Sequence, residues 1–416
     1  MFSRFITKSN IIGLAQSVFS LSLILLCIEF FDELNFALEG AALPAMRSDF
    51  KLTYTQIGLL LGLPHLTSTL IEPFIMLLGD TRLRKGLIIG GGLAIALALI
   101  MVANGRTFPV LLIAMLIAFP ASGAFVTLSQ ATLMDLNPGR QAQLMARWTA
   151  AGSIGNLLGP LALAAGLSLG WGWRWAFLCL AGMALVLVVS LSRYQFPPSA
   201  VDHSASTLSE TFKNLGSGLW SAIRNPQLLR WLALLELSDL MLDRFISYVP
   251  LYFTDVLEIS PVQASLALTG IMLAGLCADL IVIPLLEKIP GLRLVRASAV
   301  FNGVVFTAAL LAPWLWVKLL LLILVGITTL GWYPVLQGEA YATIPERTGT
   351  VMAVNSLTGL ISGGIAWFIG WLAEQIGLNN TMWFLLLSPI SLVLFIRPQK
   401  EKPGMDLRKD REELTS

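Results

Sequence analysis

The stretch LLCIEFFDELNF, residues 25–36, puts Glu29, Asp32 and Glu33 inside an apolar run long enough to cross a bilayer. An ionised carboxylate at the centre of a membrane helix costs about 2.5–3.5 kcal/mol, whereas each Leu or Phe returns only about 0.3–0.6. Three of them cost roughly 8–10 kcal/mol unless a partner or a water-filled cavity shelters them. Glu29, Asp32, Glu33 and Phe36 stand at i, i+3, i+4 and i+7, one face of a helix. The stretch reads as a transmembrane helix with an acidic face turned away from lipid.

The rest of the chain supports that reading. Hydrophobic residues make up 56% of it and charged ones 12%, against about a quarter charged in a soluble domain. Apolar runs predict twelve transmembrane helices at 18–45, 55–79, 86–104, 109–133, 146–168, 175–193, 228–253, 262–286, 294–312, 314–337, 351–373 and 380–397. The alternation that a β-barrel needs is absent, so the expected class is an all-α polytopic membrane protein. With both termini inside, cytoplasmic segments collect 21 of the 27 Lys and Arg, external loops five, and Arg244 alone lies within a span. That asymmetry sets the orientation and places the chain, multi-pass, in a plasma (cytoplasmic) membrane. The N-terminus reads as a retained first helix and not a cleaved signal. Cys27, Cys179 and Cys277 fall in apolar spans and read as small buried hydrophobes.

One long polar stretch, 194–227, divides the spans six and six. It predicts a six-helix bundle over 1–193, a cytoplasmic linker, a second bundle over 228–397 and a charged tail over 398–416. A constant shift of 207 residues carries Glu29 onto Glu236, Asp32 onto Asp239, Gln56 onto Gln263, Gln130 onto Gln337 and Gly152 onto Gly359. Glu72 lands on Asp279 at the same shift. Matches among rare intramembrane polar residues at one offset indicate two parallel six-helix repeats, with a substrate site near the midplane between them.

Two motifs extend this. MLLGDTRLRKG, 76–86, resembles the loop signature of the major facilitator superfamily: Asp80 matches its acid, and Arg84 and Lys85 its basic pair. Met76, Thr81 and Leu83 depart from it. GSIGNLLGPLAL, 152–163, resembles in Gly155, Gly159 and Pro160 the core of the motif associated with the family's exporters. GWRWAF at 172–177 and the run from Asp32 to Leu60 are similar to drug exporters of the fosmidomycin-resistance type. The resemblance implies the family's twelve-helix fold, with spans one and seven lining a central cavity. It also implies that Asp80 pairs across the halves and, with Arg84 and Lys85, gates the transport cycle. Span four, IAFPASGAFVTLSQA, lacks the Arg of many proton-coupled exporters, which moves proton handling onto the acids.

Glu236, Asp239 and Asp243 repeat the i, i+3, i+7 spacing in span seven. Two acidic faces are thus expected to confront each other across the cavity. Burial and like-charge crowding favour the neutral form of carboxylates in general, which makes these candidates for proton exchange. A blander reading holds some at helix ends or in fixed pairs such as Asp243 with Arg244. Glu72 and Asp279 lie deep in spans two and eight, and His65 stands seven residues before Glu72, so a His–Glu relay and a polar gate are both open. Gln130 and Gln337 bond either substrate or a neighbouring helix. Trp332 and Tyr333 are candidates for stacking on a ligand, and Trp171, Trp173, Trp175, Trp314 and Trp316 for interfacial anchors. IIGGGLAIAL, 88–97, lacks the strand and Lys of a phosphate loop.

The expected function is a secondary transporter working by alternating access, most simply proton-coupled export of small amphipathic or cationic compounds. Proton symport of a neutral, sugar-like solute and a transport-dead sensor are the alternatives. No nucleophile–base or metal-ligand set points to an enzyme. No cofactor, metal or nucleic acid is expected; the partners are a small-molecule substrate, protons and the lipid bilayer, with the chain acting as a monomer.

Overall fold

A computed structural model describes residues 8–79, 81–136, 140–194, 224–286, 288–343 and 348–396. The chain is helical throughout these residues, and its helices group into two sets of six. The first set comprises α1 (Lys8–Phe50), α2 (Tyr54–Gly79), α3 (Arg84–Asn104), α4 (Phe108–Leu136), α5 (Gln141–Ser168) and α6 (Gly172–Ser192). The second opens with α7, which runs from Pro226–Asp239 through Leu240–Arg244 to Phe245–Asp255. It continues with α8 (Pro261–Leu286), α9 (Gly291–Leu311), α10 (Leu315–Ala342), α11 (Thr348–Ile376) and α12 (Leu378–Phe395). Among the described residues nine helices are long and apolar enough to cross a membrane by length and composition. Helices α1, α7 and α11 fall outside that count, α1 and α7 because of the acids they carry. The architecture fits twelve spans.

The 207-residue repeat is legible in the backbone. Thr53 and Gln56 cap α2 reciprocally: Thr53 N–H donates to Gln56 Oε1 at 3.0 Å and Gln56 N–H to Thr53 Oγ1 at 3.1 Å. Ser260 and Gln263 make the same box at the start of α8, at 3.0 and 3.2 Å. Gln56 and Gln263 therefore recur because each satisfies an orphan N–H at a helix start. Among the described residues the two non-glycine residues with positive φ, Lys51 at 52° and Glu258 at 55°, are also 207 apart and turn the chain into those caps. Replacing Gln263 with Ala is expected to cost about 1 kcal/mol of helix stability. A lowered apparent Tm at fixed scan rate, restored by Glu, checks this; an unchanged Tm would sink it.

Two helices break at related places. α4 takes a π turn over Gly123–Thr127, and the same shift maps it to 330–334, where α10 breaks. There Pro334 cannot accept the geometry of a continuous helix and crowds the carbonyl four residues back. Gly331 turns the chain at φ 72°. α7 carries a second π turn, Leu240–Arg244.

Each half has its own apolar centre. Phe31 meets Phe125 edge-on at 6.2 Å in the first, and Phe245 meets Phe306 at 5.7 Å in the second. The halves pack through α2 on α11 and α5 on α8. Along α2–α11 the contact is backbone on backbone: a Cβ at Gly62 would lie 2.3 Å from the Gly363 carbonyl, and one at Gly370 2.4 Å from that of Tyr54. At the end of the molecule where α1 meets α2, Arg47 pairs with Asp255 at 2.8 Å and stacks over the Tyr54 ring. Tyr54 donates its hydroxyl to Asp255 at 2.8 Å and its N–H to Glu374 at 2.7 Å. This latch ties α1 and α2 to α7 and α11.

Some expectations give way. Cys179 and Cys277 are exposed on their helices and not buried, because they sit on outward faces of spans whose surroundings are apolar in any case. Trp173 is no interfacial anchor: its indole donates to Asp49 at 2.9 Å and its ring packs on Phe177. Arg174 bonds the Ala103 and Gly105 carbonyls at the end of α3, so GWRWAF docks the start of α6. Trp171, Trp175, Trp314 and Trp316 are exposed, as anchors are. The linker residues 195–223 and the tail 398–416 lie outside the described residues.

Candidate functional site

The acids of α1 divide between two neighbours. Glu29 and Glu33, one turn apart, face α5, where the Trp148 side chain hydrogen-bonds Glu29. Asn156 Nδ2 donates to Glu33 Oε2 at 2.7 Å. Gly152 lies between, and a Cβ there would sit 2.8 Å from Glu29 Oε1. Asp32 turns instead to α4 and accepts from Ser122 Oγ at 2.8 Å. Gly155 and Gly159 let α5 come this close: a Cβ at Gly155 would stand 2.4 Å from the Phe30 carbonyl, and one at Gly159 2.8 Å from that of Leu34. Pro160 follows inside α5. The glycine motif thus seats α5 against the acidic helix.

In α7 the π turn decides the pairing. Its i→i+5 pattern, with Phe245 N–H bonded to the Leu240 carbonyl, swings Arg244 onto the face of Asp239, five residues back. Their side chains meet at 3.2 Å. The expected pairing of Asp243 with its neighbour Arg244 is therefore replaced by Asp239 with Arg244. Ser362 of α11 completes the group, accepting from Arg244 Nη2 at 2.6 Å and lying 3.4 Å from Asp239 Oδ2. Asp243 stands within the same π turn as Arg244, one turn on from Asp239. Glu236 bonds Thr358 through one oxygen, while its Oε2 is buried without a partner.

The two acidic helices face each other. Asp243 interacts electrostatically with Glu33, and His65 of α2 with Arg244. His65 and Glu72 do not form a pair: His65 packs edge-on against Phe119 at 4.9 Å, and Glu72 accepts from Ser68, one turn before it. Glu72 lies against the α4 π turn, where a Cβ at Gly123 would be 2.8 Å from its Cγ. A local hydroxyl thus takes the place of the His expected seven residues away. The side chain of Asp279 lies outside the described residues. Gln337 is buried with Oε1 unpartnered, and Gln130 is half-buried. Trp332 is fully buried and donates Nε1 to Ser298 at 2.8 Å, a core role and not a stacking platform. Tyr333 is exposed.

Of the gate residues, Asp80 lies outside the described residues. Arg84 pairs with Asp135 at 2.5 Å and donates Nε to the Gly79 carbonyl. Lys85 donates to the carbonyls of Ser192 and Tyr194 at 2.9 and 2.7 Å. These bonds tie α3 to α2, α4 and the end of α6 within the first half. Ser122, Trp148, Asn156 and Ser362 join the site without a charge to single them out in the sequence; the signal for them is a polar side chain beside a small-residue motif in an apolar span. The latch residues Arg47, Tyr54, Asp255 and Glu374 carry no such signal.

Between α5, α7, α8 and α10 lies a cavity of about 250 Å³. Its polar lining includes Ser153, Asn156, Asp243, Thr329 and Tyr333. Acids from two six-helix sets, meeting beside a mid-depth cavity, are the arrangement of a membrane carrier. The family comparison decides it, since the profile of the Major Facilitator Superfamily matches residues 25–367. The chain belongs to the Major Facilitator Superfamily. It is a membrane transporter of the secondary kind. Solved structures share the fold at low identity. The D-xylose–proton symporter is 16% identical with a TM-score of 0.73, over 91% of this chain and 96% of that one. The nucleoside transporter NupG is 15% identical with a TM-score of 0.70, over 90% and 98%. A bacterial homologue of the human lysosomal transporter Spinster, inward-facing and occupied, is 15% identical with a TM-score of 0.67, over 92% and 93%. No curated protein matches the chain.

Proposed function

We propose that this member of the superfamily is a proton-coupled antiporter that exports small amphipathic or cationic compounds. The observation that carries the reading is the cavity between the two halves, with Asp243 of α7 and Asn156, the partner of Glu33, on its wall. Asp243 gives the cavity wall its charge, and Glu29, Asp32, Glu236 and Asp239 lie elsewhere on α1 and α7, so the cavity favours cations. In this reading Asp32 and Asp239 exchange protons, their Ser122 and Ser362 partners steadying each carboxylate. Glu72 and Asp279 serve the polar gate, and Arg84, Lys85 and Asp80 hold one conformation of the cycle. The resemblance to fosmidomycin-resistance-type exporters supports the direction, as does the Gly155–Gly159–Pro160 motif. By the charge asymmetry of the loops, both termini are cytoplasmic in a plasma membrane and the Arg47 latch closes the external face. The chain acts as a monomer.

The test is proton movement in acid-loaded vesicles of known orientation on adding lipophilic cations. A substrate-dependent proton leak is expected, falling at least tenfold in Asp32→Asn and Asp239→Asn. If both variants leave the leak intact, the coupling assignment is wrong. Proton entry driven only by neutral solutes moving the same way would make the protein a symporter instead.

A further inference from the structure

The cavity beside Asp243 is unequal in its walls. Asp243 stands mid-helix yet is exposed, and the surface it exposes faces this cavity. Arg244, next in sequence, is 3% exposed and committed to Asp239 and Ser362, so it does not neutralise the cavity wall. Asn156 lines the cavity while spending its amide on Glu33. Opposite, Tyr333 presents its ring to the same space and lies close enough to Asp243 to interact with it electrostatically. The break at 329–331 puts Tyr333 there, because the chain restarts after Gly331 with Trp332 turned into the core. Ser153 and Thr329 add hydroxyls to the wall, and the rest of it is largely apolar, with Met241, Phe245, Ile271, Met272 and Val325.

Size limits the occupant. About 250 Å³ holds roughly eight water-sized volumes of ~30 Å³ each, below the ~300–1,000 Å³ of pockets for drug-sized ligands. One carboxylate, one aromatic face and an apolar floor in that volume recognise a single positive charge joined to one flat ring.

Resting on the antiport reading, we propose that this cavity is the cargo site and that its substrate class is the single-ring organic monocation, an arylalkylammonium. Asp243 is its counter-ion and Tyr333 its stacking partner. The exchange balances: the ammonium enters with its charge, a proton carried by Asp243 in the empty site leaves to water, and the cavity's net charge is unchanged.

Phenethylammonium is the probe, titrated calorimetrically into the full chain in lipid nanodiscs at fixed pH in buffers of different ionisation heat. Binding with release of about one proton is expected. Asp243→Asn should weaken it at least tenfold and abolish the proton release. Tyr333→Leu should weaken it about fivefold while Tyr333→Phe binds as the parent does. The neutral analogue 2-phenylethanol should bind at least tenfold more weakly. Unchanged binding in Asp243→Asn, or equal binding of the alcohol, overturns the proposal, as does absence of binding to well-folded parent protein. Tyr333→Phe, which keeps the ring and the volume, holds the test open if a polar variant fails to fold. Cation-driven proton leak in vesicles that needs Asp32 but is indifferent to Asp243 and to phenethylammonium would overturn this site and leave antiport standing. Absence of any leak would remove antiport as well.

Discussion

Arg244→Leu is expected to be the most damaging single substitution in the chain. Arg244 is 3% exposed, and removing its guanidinium strands Asp239 and loses the hydrogen bond that it donates to Ser362. Leaving one member of a buried ion pair costs about 3–5 kcal/mol. The lower end applies here, because the Asp239 side chain is a quarter exposed at 25%. Replacing both partners by apolar residues is often nearly neutral, so Arg244→Leu with Asp239→Leu should regain most of the lost thermal stability while remaining inactive in transport. Aggregation on heating in detergent measures both. A double variant no more stable than the single one would mean that the pair is not what Arg244 stabilises.

Gly363→Leu is expected to part the two halves at the Arg47 latch. A Cβ at Gly363 would lie 2.6 Å from the Gly62 carbonyl and 3.0 Å from Leu66. The first neighbour is backbone and cannot rotate away, so the helices must separate. Overpacking of this kind costs about 1–3 kcal/mol, and separation strains the Arg47–Asp255 and Tyr54–Glu374 contacts nearby. Gly364→Leu is the control, since nothing lies within 4 Å of a Cβ there. Spin labels at Arg106 and Trp314, exposed near this end on opposite halves, should report a longer distance in a cysteine-free Gly363→Leu protein and no change in Gly364→Leu. Equal distances in the two would show that α2 and α11 are not closed through these glycines.

How much of this was legible beforehand depended on the range of the interaction. Helix placement and the repeat follow from local hydropathy and from rare polar residues at one offset, and the recurrence of Gln56 and Gln263 has a local cause, the capping box. The close approach of α5 to α1 was readable because only glycine permits it. The partners were not. Which face Arg244 takes depends on a π turn that no periodicity announces, and the i, i+7 rule that paired His65 with Glu72 ignores a serine one turn nearer. The latch joins residues more than 200 positions apart at helix ends, where charge is cheap and leaves no pattern.

The glycine contact between α2 and α11 has a counterpart under the repeat, and the two have diverged. In a symmetric pairing of identical halves each cross-contact occurs twice, i with j and j with i. Shifting Gly62 and Gly363 by 207 gives Thr269 and Asn156, on α8 and α5. One junction has hydrogen in place of a side chain on both helices and is closed; the other has an amide and a hydroxyl at the equivalent positions. The cavity opens at that second junction, with Asn156 on its wall. Its off-centre position marks where the two-fold relation between the halves is broken: of two equivalent seams, one is closed by glycine and the other leaves room for a berth.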